Sequence, residues 1–139
     1  MCRNVEHRFE GLMSALSRKR GARLAGQYLL LRDGAVMMKR WKAHLPDAIV
    51  CSSDFVAAHV LKLLQKIKKR CPEDVLLTGV NGIDLATLVS PPLTTMHQPC
   101  EAIAQAALET LLWRMENPDA ATRRLLVASD IVIRESTTR

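Results

Sequence analysis

Pro46-Asp47-Ala48-Ile49-Val50-Cys51-Ser52-Ser53-Asp54 carries the reading of the fold. Ala48 to Cys51 is a continuous apolar run without the polar alternation of a half-solvated strand. That pattern predicts a strand buried on both faces of a parallel sheet. Pro46 stops the helix that precedes it. Ser52, Ser53 and Asp54 supply capping side chains for a long helix over residues 55–70. Strand, polar turn and helix in that order make one β-α unit.

The same alternation continues on both sides. Downstream, Pro72-Glu73-Asp74 forms a turn, and residues 75–80 form a second buried strand ending in Asn81-Gly82. Residues 84–88 make a short helix before Pro91-Pro92, and residues 94–96 are extended. Pro99 starts a helix that runs to Glu116 and ends at Asn117-Pro118, and residues 124–128 and 130–134 read as two closing strands. Upstream, Phe9, Leu12, Met13 and Leu16 recur at three- and four-residue steps, giving an amphipathic helix over 4–20 ended by Gly21. Residues 27–31 read as a short apolar strand. Residues 34–44 read as a helix carrying Val36, Met37, Met38 and Trp41. Strands separated by helices imply an α/β fold with a mostly parallel sheet. An α/β unit ordinarily opens on a strand, whereas this sequence opens in a helix, so a further strand is expected upstream.

In such sheets ligands sit beyond the carboxyl ends of the strands. That rule selects Ser52-Ser53-Asp54, Asn81-Gly82 and the turn near Arg32-Asp33. Asp54 has a competing structural role as a helix cap, which is favoured; for Ser53 cap and ligand contact stand level.

Composition narrows the function classes. The 139 residues carry a net charge of +6, which permits attraction to anions. The cations cluster as Arg18, Lys19, Arg20 and Arg23, as Lys39, Arg40 and Lys42, and as Lys66, Lys68, Lys69 and Arg70. Each cluster falls at or just past the end of a helix, where cations complement the helix dipole. Solvated helix ends are therefore preferred to a nucleic-acid patch, and no basic stripe interleaves with aromatics to stack single strands. Cys2, Cys51, Cys71 and Cys100 lack C-x-x-C spacing, and His7, His44, His59 and His97 lack ligand spacing, so neither a metal nor any other cofactor is implied. Residues 1–10 are charged and hold no signal peptide, and no apolar run approaches a membrane span, so reduced thiols in a cytoplasm are expected. A phosphate-binding Gly-rich loop, a G-x-S-x-G elbow and an H-E-x-x-H motif are absent from the sequence. Ser52, Asp54 and His59 lie close in sequence, but adjacent positions rarely give a triad's geometry, so an enzyme is not expected.

Several segments carry a family resemblance. Residues 46–54 resemble the P-D-A-I-x-x-x-N-D segment of the lactose-repressor (LacI/GalR) family of bacterial transcriptional regulators. Pro72-Glu73-Asp74-Val75 with Gly79 resembles their P-x-D-V-x-x-x-G-(F/Y)-D-(D/G) segment. Pro91-Pro92-Leu93-Thr94-Thr95-Met96-His97-Gln98-Pro99 is similar to their P-P-L-T-T-x-x-Q-P signature, the most specific of the set. Ile133-Arg134-Glu135-Ser136-Thr137 resembles their closing strand, and Arg8-Phe9-Glu10-Gly11 their R-x-x-G helix. The motifs follow the family's order and spacing across nearly the whole sequence.

The resemblance implies a periplasmic-binding-protein-like sensor, a cleft between two α/β subdomains, and effector-controlled repression of carbohydrate-related genes. Residues 1–93 would be the C-terminal subdomain without its first strand. Residues 94–120 would be a crossing segment with one helix of the N-terminal subdomain, and 121–139 the returning strands and tail. The effector would be a sugar, sugar acid or sugar phosphate held by Arg8, Ser53, Asp54, Asn81 and Gln98. The family's Asn-Asp pair falls on Ser53 and Asp54, and its (F/Y)-D-D on Val80, Asn81 and Gly82, so an aromatic and an acid are replaced. The resemblance also implies a homodimer through the helix after Asp54 and the segment before Pro91, with Phe55, Leu61, Leu64, Leu85, Leu88 and Val89 at the interface; ordinary core is the competing reading for each. DNA would be bound only through a helix-turn-helix head outside these residues. Rival readings are a headless remnant acting only by association, and a sugar-binding protein of periplasmic type.

Overall fold

The four strands of the sheet run in the order β1-β2-β3-β4, with β1 at Ala48–Val50, β2 at Leu76–Asn81, β3 at Thr94–His97 and β4 at Asp130–Val132. The structure, a computed structural model, describes residues 3–26 and 30–139. β1, β2 and β3 are parallel, with Ala48 opposite Leu76 and Thr78 opposite Thr94. β4 returns antiparallel beside β3, with His97 opposite Asp130. The helices are α1 (Arg3–Ser17), α2 (Leu30–Ala43), α3 (Asp54–Lys66), α4 (Leu85–Leu88) and α5 (Cys100–Glu116). The mixed, mostly parallel α/β architecture is the one expected.

α3 fixes one side of the sheet. Its stripe of Ala57, Val60, Leu61 and Leu64 recurs at helical spacing and is buried with Leu77 of β2 and with Val75 and Leu93. α2 packs on α3 and adds Met37 and Trp41, four residues apart, to the same core. At its far end α3 stops at Lys66, four residues short of the expected Arg70. Lys68 takes a left-handed conformation, φ 56°, its amide bonds Gln65 carbonyl, and the Lys69 amide bonds Leu64 carbonyl. Those two bonds form a Schellman cap with lysine where glycine is usual.

Two expected strands differ from what is found. Leu30 and Leu31 begin α2 instead of ending a strand over 27–31, and residues 27–29 lie outside the described residues. The helical spacing of Met37 and Trp41 against α3 organises this segment, so Arg32 and Asp33 sit in the first turn of a helix, not at a strand end. Residues 124–128 have no regular structure, although their composition suits a strand. A strand exists only through a ladder partner, and β4 with its neighbours begins at Asp130.

The C-terminal residues are sewn into the sheet by one hydroxyl. Ser136 is fully buried, donates to Leu77 carbonyl at 2.7 Å and accepts from the Thr94 amide at 2.8 Å. The Thr94 hydroxyl in turn accepts from the Arg134 amide at 2.8 Å, and the Arg134 guanidinium donates to Leu93 carbonyl at 2.7 Å. Ser136→Ala strands a buried amide and a buried carbonyl, each costing about 1–3 kcal/mol when unpaired. The variant is expected to unfold at lower denaturant with an unchanged m-value; an unchanged midpoint would contradict this role.

Candidate functional site

The carboxyl ends of β1, β2 and β3 meet at one rim, and the chain's chemistry at that rim is organised by Asp54. β1 ends in Cys51-Ser52-Ser53, and Ser53 is the N-cap of α3, its hydroxyl accepting from the Val56 amide at 3.3 Å. The cap is therefore Ser53, not Asp54. Asp54 is the first residue of α3 and is completely buried. Its Oδ1 accepts from the Thr95 hydroxyl of β3 at 2.6 Å, and its Oδ2 from the Ile83 amide in the β2–α4 turn at 3.0 Å. One carboxylate thus ties the turns after β1 and β2 to the middle of β3.

The space under Asp54 exists because residue 79 is glycine. A Cβ there would stand 2.1 Å from Asp54 Oδ1 and 3.3 Å from Asp54 Cα. Gly82 serves the rim in a second way. It has φ +70°, and a Cβ on it would come within 2.7 Å of His97 Nδ1. Asn81, just before it, is also left-handed at φ 117°.

The expected effector residues separate into two groups. Ser53 and Asn81 are half-buried at the rim, and Gln98 is exposed there with its amide on Asn81 carbonyl at 3.0 Å. Arg8, exposed on α1, donates to Ser52 carbonyl at 2.5 Å, which brings its guanidinium to the end of β1. Asp54 stands apart as a correction. It is out of reach of a ligand, and both of its oxygens are engaged within the protein.

His97 and Asp130 were not foreseen. They face each other across the β3–β4 ladder at the same rim. Beside them lies a hollow of about 350 Å³ lined by His97, Pro99, Cys100, Glu101, Ala102 and Gln105. Its imidazole, carboxylate and amide groups can donate to and accept from hydroxyls. Only the antiparallel return of β4 brings Asp130 here, and that pairing has no local signature. Thr95 was legible as part of the P-P-L-T-T element but not as Asp54's partner. Among the described residues, no cluster of three His, Cys, Asp or Glu could hold a metal ion.

The residues expected at a dimer interface also divide. Phe55, Leu61, Leu85 and Val89 line a groove of about 340 Å³ between α3 and α4, together with His59, Lys62 and Gln65. Leu88 is exposed beside them. Leu64 is turned into the core and Leu61 forms the groove's buried floor, because the sheet needs the inner stripe of α3.

Comparison with known proteins gives a consistent result. The periplasmic binding protein-like domain family matches residues 2–137. The ribose operon repressor of Haemophilus influenzae is 38% identical over 91 residues, covering 66% of this chain and 27% of the repressor. A LacI family regulator from Arthrobacter sp., solved in complex with lactose, is 32% identical with a TM-score of 0.65, covering 73% of this chain and 38% of its own. A periplasmic binding protein/LacI regulator from Alkaliphilus metalliredigens, complexed with D-xylulofuranose, is 25% identical with a TM-score of 0.76, covering 96% and 52%. The chain spans about a quarter of the length of that curated repressor. Among the described residues, no helix is long and apolar enough to cross a membrane.

Two outcomes test this geometry. Gly79→Ala must displace the Asp54 carboxylate, and Asp54→Ala leaves Thr95 and Ile83 unpartnered, so each is expected to cost about 3 kcal/mol. In the double variant the obstructing carboxylate is gone, so the two losses should total clearly less than their sum; additivity in urea melts would contradict the packing. Burial, with Asp54 nearby, pushes the Cys51 thiol up to about 12, and burial pushes Cys71 up to about 11. A raised thiol stays neutral in the fold while the unfolded thiol ionises, so stability is complete below about pH 9 and falls between pH 9 and 12. At neutral pH iodoacetamide should modify exposed Cys100 and spare Cys51 until the protein unfolds; mass spectrometry showing early Cys51 labelling would contradict its burial.

Proposed function

The chain belongs to the periplasmic binding protein-like domain family and is similar to LacI-type repressors, and from that premise we propose that it is the effector-sensing part of such a repressor. The observation that carries the reading is the rim itself. Ser53, Asn81, Gln98 and, through Ser52, Arg8 stand together at the carboxyl ends of the strands, and the Asp54 brace beneath them holds the turns rigid. A preformed polar rim with donors and acceptors suits a sugar-like molecule. The sugars named with the related structures, lactose and D-xylulofuranose, support that class.

In this reading residues 1–93 serve as one subdomain, 94–120 as a crossing segment with one helix of the other, and 121–139 as the return. The protein acts in the cytoplasm, not as an enzyme. Operator DNA is bound by a helix-turn-helix head outside these residues, and effector closure shifts the affinity of paired heads by linkage. The groove of Phe55, Leu61, Leu85 and Val89, with Leu88 beside it, pairs two copies. The same groove favours a second reading, in which association alone is the chain's activity.

Asn81 gives the rim a neutral amide where a carboxylate would repel an anion, and Arg8 offers a forked cation. The effector is therefore expected to carry a phosphate or carboxylate. Calorimetric titration of D-ribose, D-ribonate and D-ribose 5-phosphate should show at least about tenfold tighter binding of an anionic form, the ratio given by one charge-assisted bond. Arg8→Gln should remove that preference. Tighter binding of neutral ribose would sink the anionic effector, and absence of binding by any of these and by lactose or xylulose would sink sugar sensing.

A further inference from the structure

The chain exposes 10,317 Å². A compact protein of 15.5 kDa exposes about 7,200 Å², so this one leaves about 3,100 Å² more in water than its mass requires. Two surfaces contribute to the difference, and they are of opposite kinds. The first is α5. No residue of this 17-residue helix is buried, and Ile103, Leu108, Leu111, Leu112 and Met115 are 37–70% exposed. At 100° per residue these five side chains span half the cylinder. A helix this apolar is ordinarily covered.

The second surface is the face of the sheet turned away from α3. The register places Val50, Thr78, Val80, Thr94, Met96 and Ile131 on that face. Val50, Met96 and Ile131 are 45–66% exposed, and Ile133 continues the line beyond β4. Parallel strands are found covered by helices on both faces. Here α3 covers one face only.

A helix without a sheet and a sheet face without a helix are complementary. We propose that two copies of this chain exchange them, α5 of each lying across the open sheet face of the other. A two-fold exchange satisfies both surfaces in both copies at once. The area at stake is ample, since a standard interface buries about 800 Å² on each partner and the excess exposure here is several times that. The face is distinct from the α3–α4 groove, so the two can operate together or separately.

Light scattering on eluting chain tests the exchange by complementation. Leu111→Glu with Leu112→Glu spoils the helix and leaves the sheet, while Met96→Glu with Ile131→Glu spoils the sheet and leaves the helix. Each double variant alone should run at about half the parent's mass. Mixed together they should recover a heterodimer, because one intact helix meets one intact sheet. None of the four side chains is buried in the single chain, so circular dichroism should match the parent. The proposal is overturned by a monomeric parent, by either double variant keeping the parent's mass, or by a mixture that stays monomeric. Phe55→Glu with Leu88→Glu separates this from the groove: it should leave the α5 exchange intact, and loss of mass in that variant alone assigns association to the groove and overturns the exchange.

Discussion

A buried carboxylate holds the site together. Asp54 has lost all contact with water, and a carboxylate in that position is stable only if the protein replaces its hydration. The replacement comes from the Thr95 hydroxyl, the Ile83 amide and the positive end of α3, at whose first position it stands. Each donor belongs to a different part of the chain. The consequence reaches further than the bonds themselves, because β2 must present a bare backbone at residue 79 to make room. The turn after β2, with left-handed Asn81 and Gly82, is then held close to His97. Asp54 does not meet a ligand; it sets the positions of the residues that can.

The rim and the open surfaces describe the same molecule from two sides. On one side the strands end in a polar edge braced from below, which suits recognition of a hydroxyl-rich effector. On the other side an apolar helix and an apolar sheet face stand in water. Surfaces of that kind are reserved for association. A sensor that works by closure and pairing needs both a rigid rim and faces that move against a partner.

Much of this was legible in the sequence. The run Ala48 to Cys51 announced a parallel strand, and Pro46 and Pro118 marked helix limits correctly. The rule that ligands gather at strand ends found Ser53, Asn81 and the end of β3 without knowledge of the family. It misread Asp54, because an aspartate after a strand has the same local pattern whether it caps, binds ligand or is buried. Only Thr95, 41 residues on, decides between these roles. The strand expected over 124–128 failed for a related reason: apolar β-formers such as Leu125 and Leu126 become a strand only when a neighbour pairs with them. At 27–31 leucine-rich composition suited either state, and the packing of Met37 and Trp41 on α3 made Leu30 and Leu31 helical. Asp130 reached the rim through antiparallel pairing that no spacing foretold.

The central claim is that the strand-end rim receives a sugar-like effector. Amide resonance mapping on the isotope-labelled chain, titrated with D-ribose 5-phosphate, addresses it directly. The account predicts shift changes concentrated at Ser52, Ser53, Asn81, Gly82, His97 and Gln98, with Leu77 and the far end of α3 unmoved. Changes centred on the α3–α4 groove or on α5, with the rim silent, would contradict it.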